Sequence, residues 1–345
     1  FSSLILSNDR KPMIRLLHYL KTSIILLCVS IATLWGTLAI YYKLPAPEGV
    51  QTAASCAFAV LGCTAIVLQF GARRFFALKL FTLAFAGLLT WWMTIEPPAD
   101  ANWSPDVARQ VTGQIDGDLL TLENVREFEW RTNDDFTEHW STRTYDLNKL
   151  QSVDMFMSHW AGPQIAHFIV SFGFEGDEYL AWSIEVRRTV GGVYSPVAGF
   201  FKGDSLIILA AVEQDVVGVR SNVRGEDVQL FRLRPSKETA RALLTGYVRD
   251  ANNLAEKPAW YNSLTTNCTT VVFKMTKALG LGVPFDWRLV LNGYLPDFAY
   301  ERKSLNTEIS LAELRKRGQI ASRAKEVGLG PEFSTAIRQG VPMPD

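Results

Sequence analysis

Three long uncharged runs in the first hundred residues constrain this fold most strongly. They cover about residues 22–42, 51–72 and 75–95, and only Lys79 interrupts the third. At about 1.5 Å per residue, a helix of this length crosses a hydrocarbon core of about 30 Å. Lys79 lies near the start of its run, where its side chain can reach the interface. The sequence therefore predicts a membrane anchor of three transmembrane helices over residues 1–100.

The distribution of cations predicts the orientation of this anchor. Basic residues precede the first run and separate the second from the third: Arg10, Lys11, Arg15, Lys21, Arg73 and Arg74. Cytoplasmic loops are enriched in Lys and Arg, so three crossings place residues 101–345 on the periplasmic side of a bacterial inner membrane. The alternative is that the third run only lies on the membrane surface, in which case the same residues are cytoplasmic.

Cysteine usage sets one residue apart from the others. Cys28, Cys56 and Cys63 lie within the predicted spans, and Cys268 is the remaining thiol. With no disulfide partner in the outer domain, a thiol in an oxidising compartment is either buried or used. Cys268 is therefore a candidate nucleophile, and the alternative is a small buried apolar residue.

Residues 101–345 are predicted to form one α+β domain with a looser tail after Lys303. Alternating or β-branched runs typical of strands come first, at 125–130, 153–159, 165–174, 179–187, 206–212 and 228–233. Helical patterns follow, one capped by Ser236 and one beginning after Thr266. Strands grouped before helices favour an antiparallel sheet with helices packed against it over a parallel α/β fold.

The local context of Cys268 favours reactivity. A polar segment ends at Asn267 and an apolar helical pattern begins directly after it, which puts the thiol in the first helical turn. Unpaired N–H groups and the positive end of the helix dipole favour a thiolate there and can donate to an oxyanion. We expect Asn267, Thr266 and, from an earlier strand, Ser183 to support this site.

A thiolate nucleophile needs a base, and His167 is the best candidate. The outer domain contains two other histidines, His139 and His159, in polar surroundings where surface or packing roles are expected. His167 lies in an apolar run that predicts a central strand, where a titratable ring needs a partner. Paired with Cys268, it is the predicted general base.

The strand after His167 supplies a third candidate. Ser183, Glu185 and Arg187 alternate along it and share one face, and Glu185 is suited to hold the imidazole tautomer. The alternative is that Glu185 forms a salt bridge with Arg187 or Arg220. A further charged group follows a later strand, and its role is either structural or headgroup binding: Glu213, Asp215 and Arg220.

Composition and motifs exclude several other function classes. The formal net charge is zero and no Lys/Arg tract suggests nucleic-acid binding locally, which excludes a nucleic-acid partner. The sequence has no His-Glu-x-x-His pattern, no Cys-x-x-Cys pair, no phosphate-binding glycine loop and no Gly-x-Ser-x-Gly elbow. We therefore expect neither a metal nor a cofactor.

The motifs around these candidates carry a family resemblance. In chain order they are Ile165-Ala166-His167, Ser171-Phe172-Gly173-Phe174, Ser183-Ile184-Glu185-Val186-Arg187, Trp260-Tyr261-Asn262 and Thr266-Asn267-Cys268-Thr269-Thr270. This ordered set resembles the Lnb N-terminal periplasmic domain family over roughly residues 124–297. The resemblance implies lipoprotein N-acylation, in which Cys268 carries an acyl thioester between a phospholipid and the N-terminal amine of a diacylated lipoprotein. The candidate substrate-binding residues are Arg187, Tyr261, Asn262 and Arg126.

The order of the catalytic pair implies a fold as well. A histidine strand before a cysteine helix is similar to circularly permuted papain-like folds, such as the NlpC-type hydrolases and lecithin–retinol acyltransferase. Two other functions stay open. One is a cysteine peptidase or amidase that acts on cell-wall peptide with water as acceptor. The other is a non-catalytic membrane-associated module in which Cys268 and His167 are merely packed.

Overall fold

The computed structural model describes residues 10–160, 162–192, 195–278, 280 and 282–344. The chain separates into two compact units, each with its own core. The first holds the chain up to Glu96 together with Phe201–Gly203. The second holds Pro97–Phe200 and the chain from Asp204 onward.

The first unit consists of three long helices: α1 (Arg10–Lys43), α2 (Glu48–Val67) and α3 (Arg74–Thr94). They pack around a small core that includes Val29, Phe58 and Phe81. Most of their apolar surface stays exposed, as a lipid-facing helix requires. All three are long and apolar enough to cross a membrane. The predicted spans 51–72 and 75–95 coincide with α2 and α3 to within five residues, whereas α1 begins at Arg10, well before the predicted start at residue 22.

The second unit is built on an eight-stranded sheet and a separate hairpin. Its strands are β1 (Thr112–Asp116), β2 (Leu119–Arg126), β3 (Glu129–Trp130), β4 (Phe136–Thr137), β5 (Trp140–Asp146), β6 (Leu150–His159), β7 (Ala166–Phe174), β8 (Glu178–Arg187), β9 (Ser205–Ala211) and β10 (Asp227–Leu233). The main order is β1-β2-β9-β8-β7-β6-β10, β5 also pairs with β2, and β3 pairs with β4. Strands β6 to β10 coincide with predicted runs to within three residues.

The sheet is mixed, so the predicted antiparallel sheet is confirmed only in part: every described strand pairing is antiparallel except one. β2 and β9 run parallel and meet at Arg126 and Ala211. Strands β1, β2 and β5 join the rest of the sheet only through this contact. Because no hairpin connects β2 to β9, nothing requires these two strands to run antiparallel. The predicted run 125–130 is split, because it ends β2 and then supplies β3.

Helices cover both faces of the sheet. They are α4 (Pro196–Gly199), α5 (Glu213–Val216), α6 (Lys237–Glu256), α7 (Cys268–Ala278), α8 (Leu295–Glu301), α9 (Leu311–Gly318), α10 (Ala321–Val327) and α11 (Phe333–Ile337). Ser236 caps α6 by accepting the Thr239 N–H at 3.2 Å, as predicted. Tyr247 of α6 packs on Phe172 and Trp182 on one face of the sheet. α10 and α11 pack on the other face.

The segment after Lys303 is packed, so the predicted looser tail is wrong. Ile320 and Phe333 are fully buried in the core of the second face. Arg338 donates to Glu213 Oε1 at 2.6 Å and to Asp154 Oδ2 at 2.9 Å. These partners lie 125 and 184 residues away in sequence, beyond the reach of any local pattern.

The buried ion pairs of Arg338 predict a large effect on stability. We expect Arg338→Met to lower the free energy of unfolding by about 3–5 kcal/mol, because Glu213 stays buried without the cation that it faces. Arg317→Met is the matched control, since its ion pair with Glu313 is exposed and should contribute about 0–1 kcal/mol. Denaturant unfolding of both variants in detergent measures the difference. Equal losses would contradict the prediction.

Candidate active site

Cys268 is the first residue of α7, and Asn267 caps that helix. Asn267 Oδ1 accepts the N–H groups of Thr269 and Thr270, both at 3.0 Å, and the Asn267 N–H donates to Thr270 Oγ1 at 2.9 Å. This reciprocal cap satisfies the second and third N–H groups of the helix. None of the described groups accepts a hydrogen bond from the Cys268 N–H, so that donor stays available at the N-terminus.

The thiol of Cys268 lies against β7 where β7 and β8 separate. The pairing of the two strands ends at Ile169 and Ser183. Just before that point, His167 and the Phe168 N–H lie where they stabilise a charge on the Cys268 sulfur. Burial opposes ionisation of the thiol, but the interactions with His167 and with the Phe168 N–H outweigh it and lower the pKa of Cys268. The site therefore favours the thiolate.

The imidazole of His167 is held from its other side by β8. His167 Nε2 lies 2.7 Å from Ser183 Oγ and 3.0 Å from Glu185 Oε1. Ser183 Oγ donates to the same Glu185 oxygen at 2.7 Å. A proton on Nε2 satisfies both acceptors and leaves the Nδ1 lone pair for the Cys268 proton.

The shifts in the pKa values of His167, Glu185 and Cys268 all favour the charged forms of these groups. Burial and Arg220 lower the pKa of His167, but Glu185 and Cys268 outweigh them and raise it. Burial raises the pKa of Glu185, but the charges of His167 and Arg220 hold it well below its usual range. A raised imidazole pKa beside a lowered thiol pKa favours the thiolate–imidazolium pair.

Arg220 extends the polar line behind Glu185. It lies in a single π-helical turn, Val219–Val223, with Nη2 3.0 Å from Glu185 Oε1 and Nη1 3.3 Å from Glu226 Oε2. Ser158 donates to the same Glu226 oxygen. The salt bridge from Glu185 to Arg220, which the sequence offered as an alternative to contact with His167, therefore exists together with that contact.

Asn292 is a site residue that the sequence analysis missed. Its Nδ2 donates to the Ala166 carbonyl at 2.6 Å and to Thr269 Oγ1 at 2.9 Å, and lies 3.7 Å from Cys268 Sγ. Its Oδ1 accepts the Ala166 N–H at 2.9 Å. Asn292 thus ties the start of β7 to the first turn of α7.

The residue after Asn292 explains why the chain can approach so closely. A Cβ on Gly293 would lie 2.0 Å from the Pro163 carbonyl oxygen, so only glycine fits there. The Asn-Gly pair was the available sequence signal, but such pairs usually mark turns and carry no indication of a site.

Besides Asn267, the loop before α7 contains three of the predicted site residues: Tyr261, Asn262 and Thr266. Asn262 Oδ1 accepts the N–H groups of Leu264 and Thr265 at 3.0 and 2.9 Å, and its backbone pairs in both directions with Thr266. Tyr261 donates its N–H to the Asp204 carbonyl. These contacts hold the loop that leads into Cys268. The predicted roles of Tyr261 and Asn262 in binding substrate, and of Thr266 in supporting an oxyanion, stay predictions.

The predicted substrate-binding arginines have partners of their own. Arg126 is buried and pairs with Asp215 through Nε and Nη2, both at 2.9 Å. Arg187 donates to the carbonyls of Val107 and Ala108 at 3.2 and 2.7 Å. The charged group Glu213, Asp215 and Arg220 is likewise paired inside the domain.

The two other histidines of this unit lie outside the Cys268 site. His139 Nδ1 is 3.2 Å from Glu127 Oε2, with a side chain that is 61% exposed. His159 Nδ1 is 3.4 Å from the Asp227 carbonyl. Within the described part of the chain, no group of three or more His, Cys, Asp or Glu side chains is placed to hold a metal ion.

A thiol next to an imidazole that is itself held by a carboxylate is the arrangement on which cysteine nucleophiles depend. Residues 136–293 match the family described as the Lnb N-terminal periplasmic domain, which confirms the resemblance drawn from the motifs. The matched segment contains Cys268, His167, Glu185, Arg220 and Asn292. Comparisons with curated proteins and with solved structures found no match.

The family match also bears on location. It covers a periplasmic domain, and three helices that could cross a membrane lie near the N-terminus. Together these findings indicate a membrane-anchored protein with a periplasmic domain.

The lowered pKa of Cys268 predicts its reactivity. We expect Cys268 to be alkylated faster than an ordinary thiol at neutral pH, with the rate falling only as the pH drops through the lowered pKa. In His167→Ala the pKa of the thiol rises, so the rate at neutral pH should fall about tenfold or more. Peptide mapping after iodoacetamide treatment over a pH series separates Cys268 from the three cysteines of the helices. His159→Ala is the control, and a wild-type pH profile in His167→Ala would contradict the pairing.

The clamp formed by Asn292 gives a second prediction. Asn292→Ala leaves the buried N–H and carbonyl of Ala166 without their side-chain partner, so unfolding should become easier by about 1–3 kcal/mol and Cys268 alkylation should slow. Asn148→Ala is the control, because it removes a surface hydrogen bond to Asp118. Thermal unfolding and alkylation of both variants measure the effect. Unchanged alkylation in Asn292→Ala would show that the clamp does not position the thiol.

Proposed function

We propose that this protein is a multi-pass inner-membrane enzyme that transfers a fatty acyl chain from a phospholipid to the N-terminal amine of a diacylated lipoprotein. The observation that carries the proposal is the electrostatic pairing of Cys268 with His167 at the N-terminus of α7, with Glu185 3.0 Å behind the imidazole. The family match supports a periplasmic site, and the three apolar helices support a membrane anchor.

The first half-reaction forms a thioester. His167 Nδ1 takes the Cys268 proton, and the thiolate attacks the ester carbonyl carbon of the phospholipid. The oxyanion develops next to the Cys268 N–H, which no described group occupies. The ester C–O bond breaks, the leaving lysophospholipid oxygen takes the proton from the imidazolium, and the acyl group stays on sulfur.

The second half-reaction releases the chain to the amine. The neutral α-amine of the lipoprotein attacks the thioester carbon and gives one proton to His167. The C–S bond then breaks, the amide leaves, and the imidazolium returns its proton to the Cys268 thiolate. Glu185 stabilises the imidazolium in both halves, because its carboxylate stays ionised beside Nε2.

Two structural features support the membrane setting and the fold relationship. The proposed donor and acceptor are both lipids of the outer leaflet, so anchoring raises the effective concentration of each at the site.

The cations before α1 and between α2 and α3 favour a cytoplasmic location for the start of α1 and for the loop between α2 and α3. The order of the histidine strand β7 before the cysteine helix α7 supports a circularly permuted papain-like arrangement.

Intact mass of the full-length protein in detergent micelles tests the proposal. After incubation with phospholipid, the wild type should gain one acyl mass, Cys268→Ala none, and His167→Ala should gain it about a hundredfold or more slowly. Cys63→Ala, which removes a thiol from α2, is the matched control and should behave as the wild type. A diacylated lipopeptide should then remove the acyl mass and appear N-acylated.

Two results would overturn this function. If the wild type gains no acyl mass but cleaves cell-wall peptide in a Cys268-dependent way, water is the acceptor and the enzyme is a hydrolase. If it does neither, the Cys268–His167 pair is a structural contact.

A further inference from the structure

An apolar cavity of about 420 Å³ lies beneath α7. Residues of β6, β7, α6, α7 and α8 line it, with Met155, Val170, Leu243, Val272 and Phe298 among the lining side chains. This volume lies within the range of about 300–1,000 Å³ that is typical of small-molecule sites.

The cavity begins one side chain away from the nucleophile. Thr269 lines it, and Thr269 Oγ1 lies 3.9 Å from Cys268 Sγ. Phe168 also lines it, and the N–H of the same residue is one of the groups that lower the pKa of Cys268. A group bound to the sulfur therefore has an apolar space directly next to it.

The cavity extends from the thiol along the helix. Thr269, Val272, Phe273 and Thr276 line it and recur at spacings of three and four, which places them on one face of α7. The helix rises about 10 Å from Thr269 to Thr276 at about 1.5 Å per residue. The space is therefore long in the direction away from Cys268.

We propose that this cavity holds the fatty acyl chain of the Cys268 thioester, so that the substrate class is a long unbranched acyl ester. The proposal rests on the proposed function and adds the place where the chain is bound. Most of the lining is apolar and favours methylene groups over water, although Arg234 and Arg302 also line the cavity. The chain enters past Thr269 and follows the face of α7 toward Thr276.

Chain-length selectivity tests the proposal in the full-length protein. The probes are phosphatidylglycerols with either palmitoyl or hexanoyl chains, and the readout is acyl mass on the protein. In Thr276→Trp the indole occupies the far part of the cavity, so the ratio of palmitoyl to hexanoyl transfer should fall about tenfold or more relative to the wild type. Lys277→Trp adds the same side chain at an exposed position of α7 and should keep the wild-type ratio.

The outcomes separate this proposal from the proposed function. Acylation of the wild type together with unchanged ratios in Thr276→Trp would overturn the cavity as the acyl site and leave the transferase intact. No acyl mass on the wild type with either lipid would overturn the function itself.

A second measurement uses only the wild-type protein, so its outcome does not depend on whether a variant folds. A palmitoyl chain with a diazirine at its end, once bound to Cys268, should cross-link on illumination to peptides that line the cavity, such as those with Leu243 or Thr276. Cross-links found only on α1, α2 and α3 would overturn the proposal.

Discussion

The contact of the Glu185 carboxylate with both His167 and Arg220 organises the site. A carboxylate in this position would be costly to bury alone, but its Oε1 lies 3.0 Å from a nitrogen of each neighbour and accepts the Ser183 hydroxyl as well. Arg220 compensates the charge and keeps the carboxylate in place, and Glu185 in turn raises the pKa of His167. The lowered pKa of the Cys268 thiol follows from that protonated ring, so one shared carboxylate oxygen connects the interior of the domain to the nucleophile.

The surroundings of Cys268 differ in polarity from one side to the other. Toward β8 it meets a polar line that runs from His167 to Arg220, and toward the body of α7 it meets an apolar cavity. Asn292 stands at the junction and holds β7 and α7 together through Ala166 and Thr269. This difference in polarity supports the proposed attack of Cys268 on a carbonyl that carries a hydrocarbon chain.

Much of the architecture could be predicted because it depends on short periodic patterns. The uncharged runs predicted three helices able to span a membrane, and strands β6 to β10 followed from runs of alternating or β-branched residues. The period of two along β8 placed Ser183 and Glu185 on one face, and both side chains contact His167. The parallel contact of β2 with β9 and the packed tail were beyond such patterns, because each depends on residues far apart in sequence.

The sequence by itself determined which elements form and which residue types they carry: apolar helices, a strand with His167, a strand with Glu185, and a helix that starts at Cys268. These are local properties, set by hydrophobic periodicity and by capping residues within a few positions of each other. Only the tertiary structure decided that Asn292 clamps β7 to α7, that Arg220 shares the Glu185 carboxylate, and that an apolar cavity opens beside Thr269. Those contacts join segments separated by tens of residues or more, and they form only when the sheet has paired and the helices have packed against it.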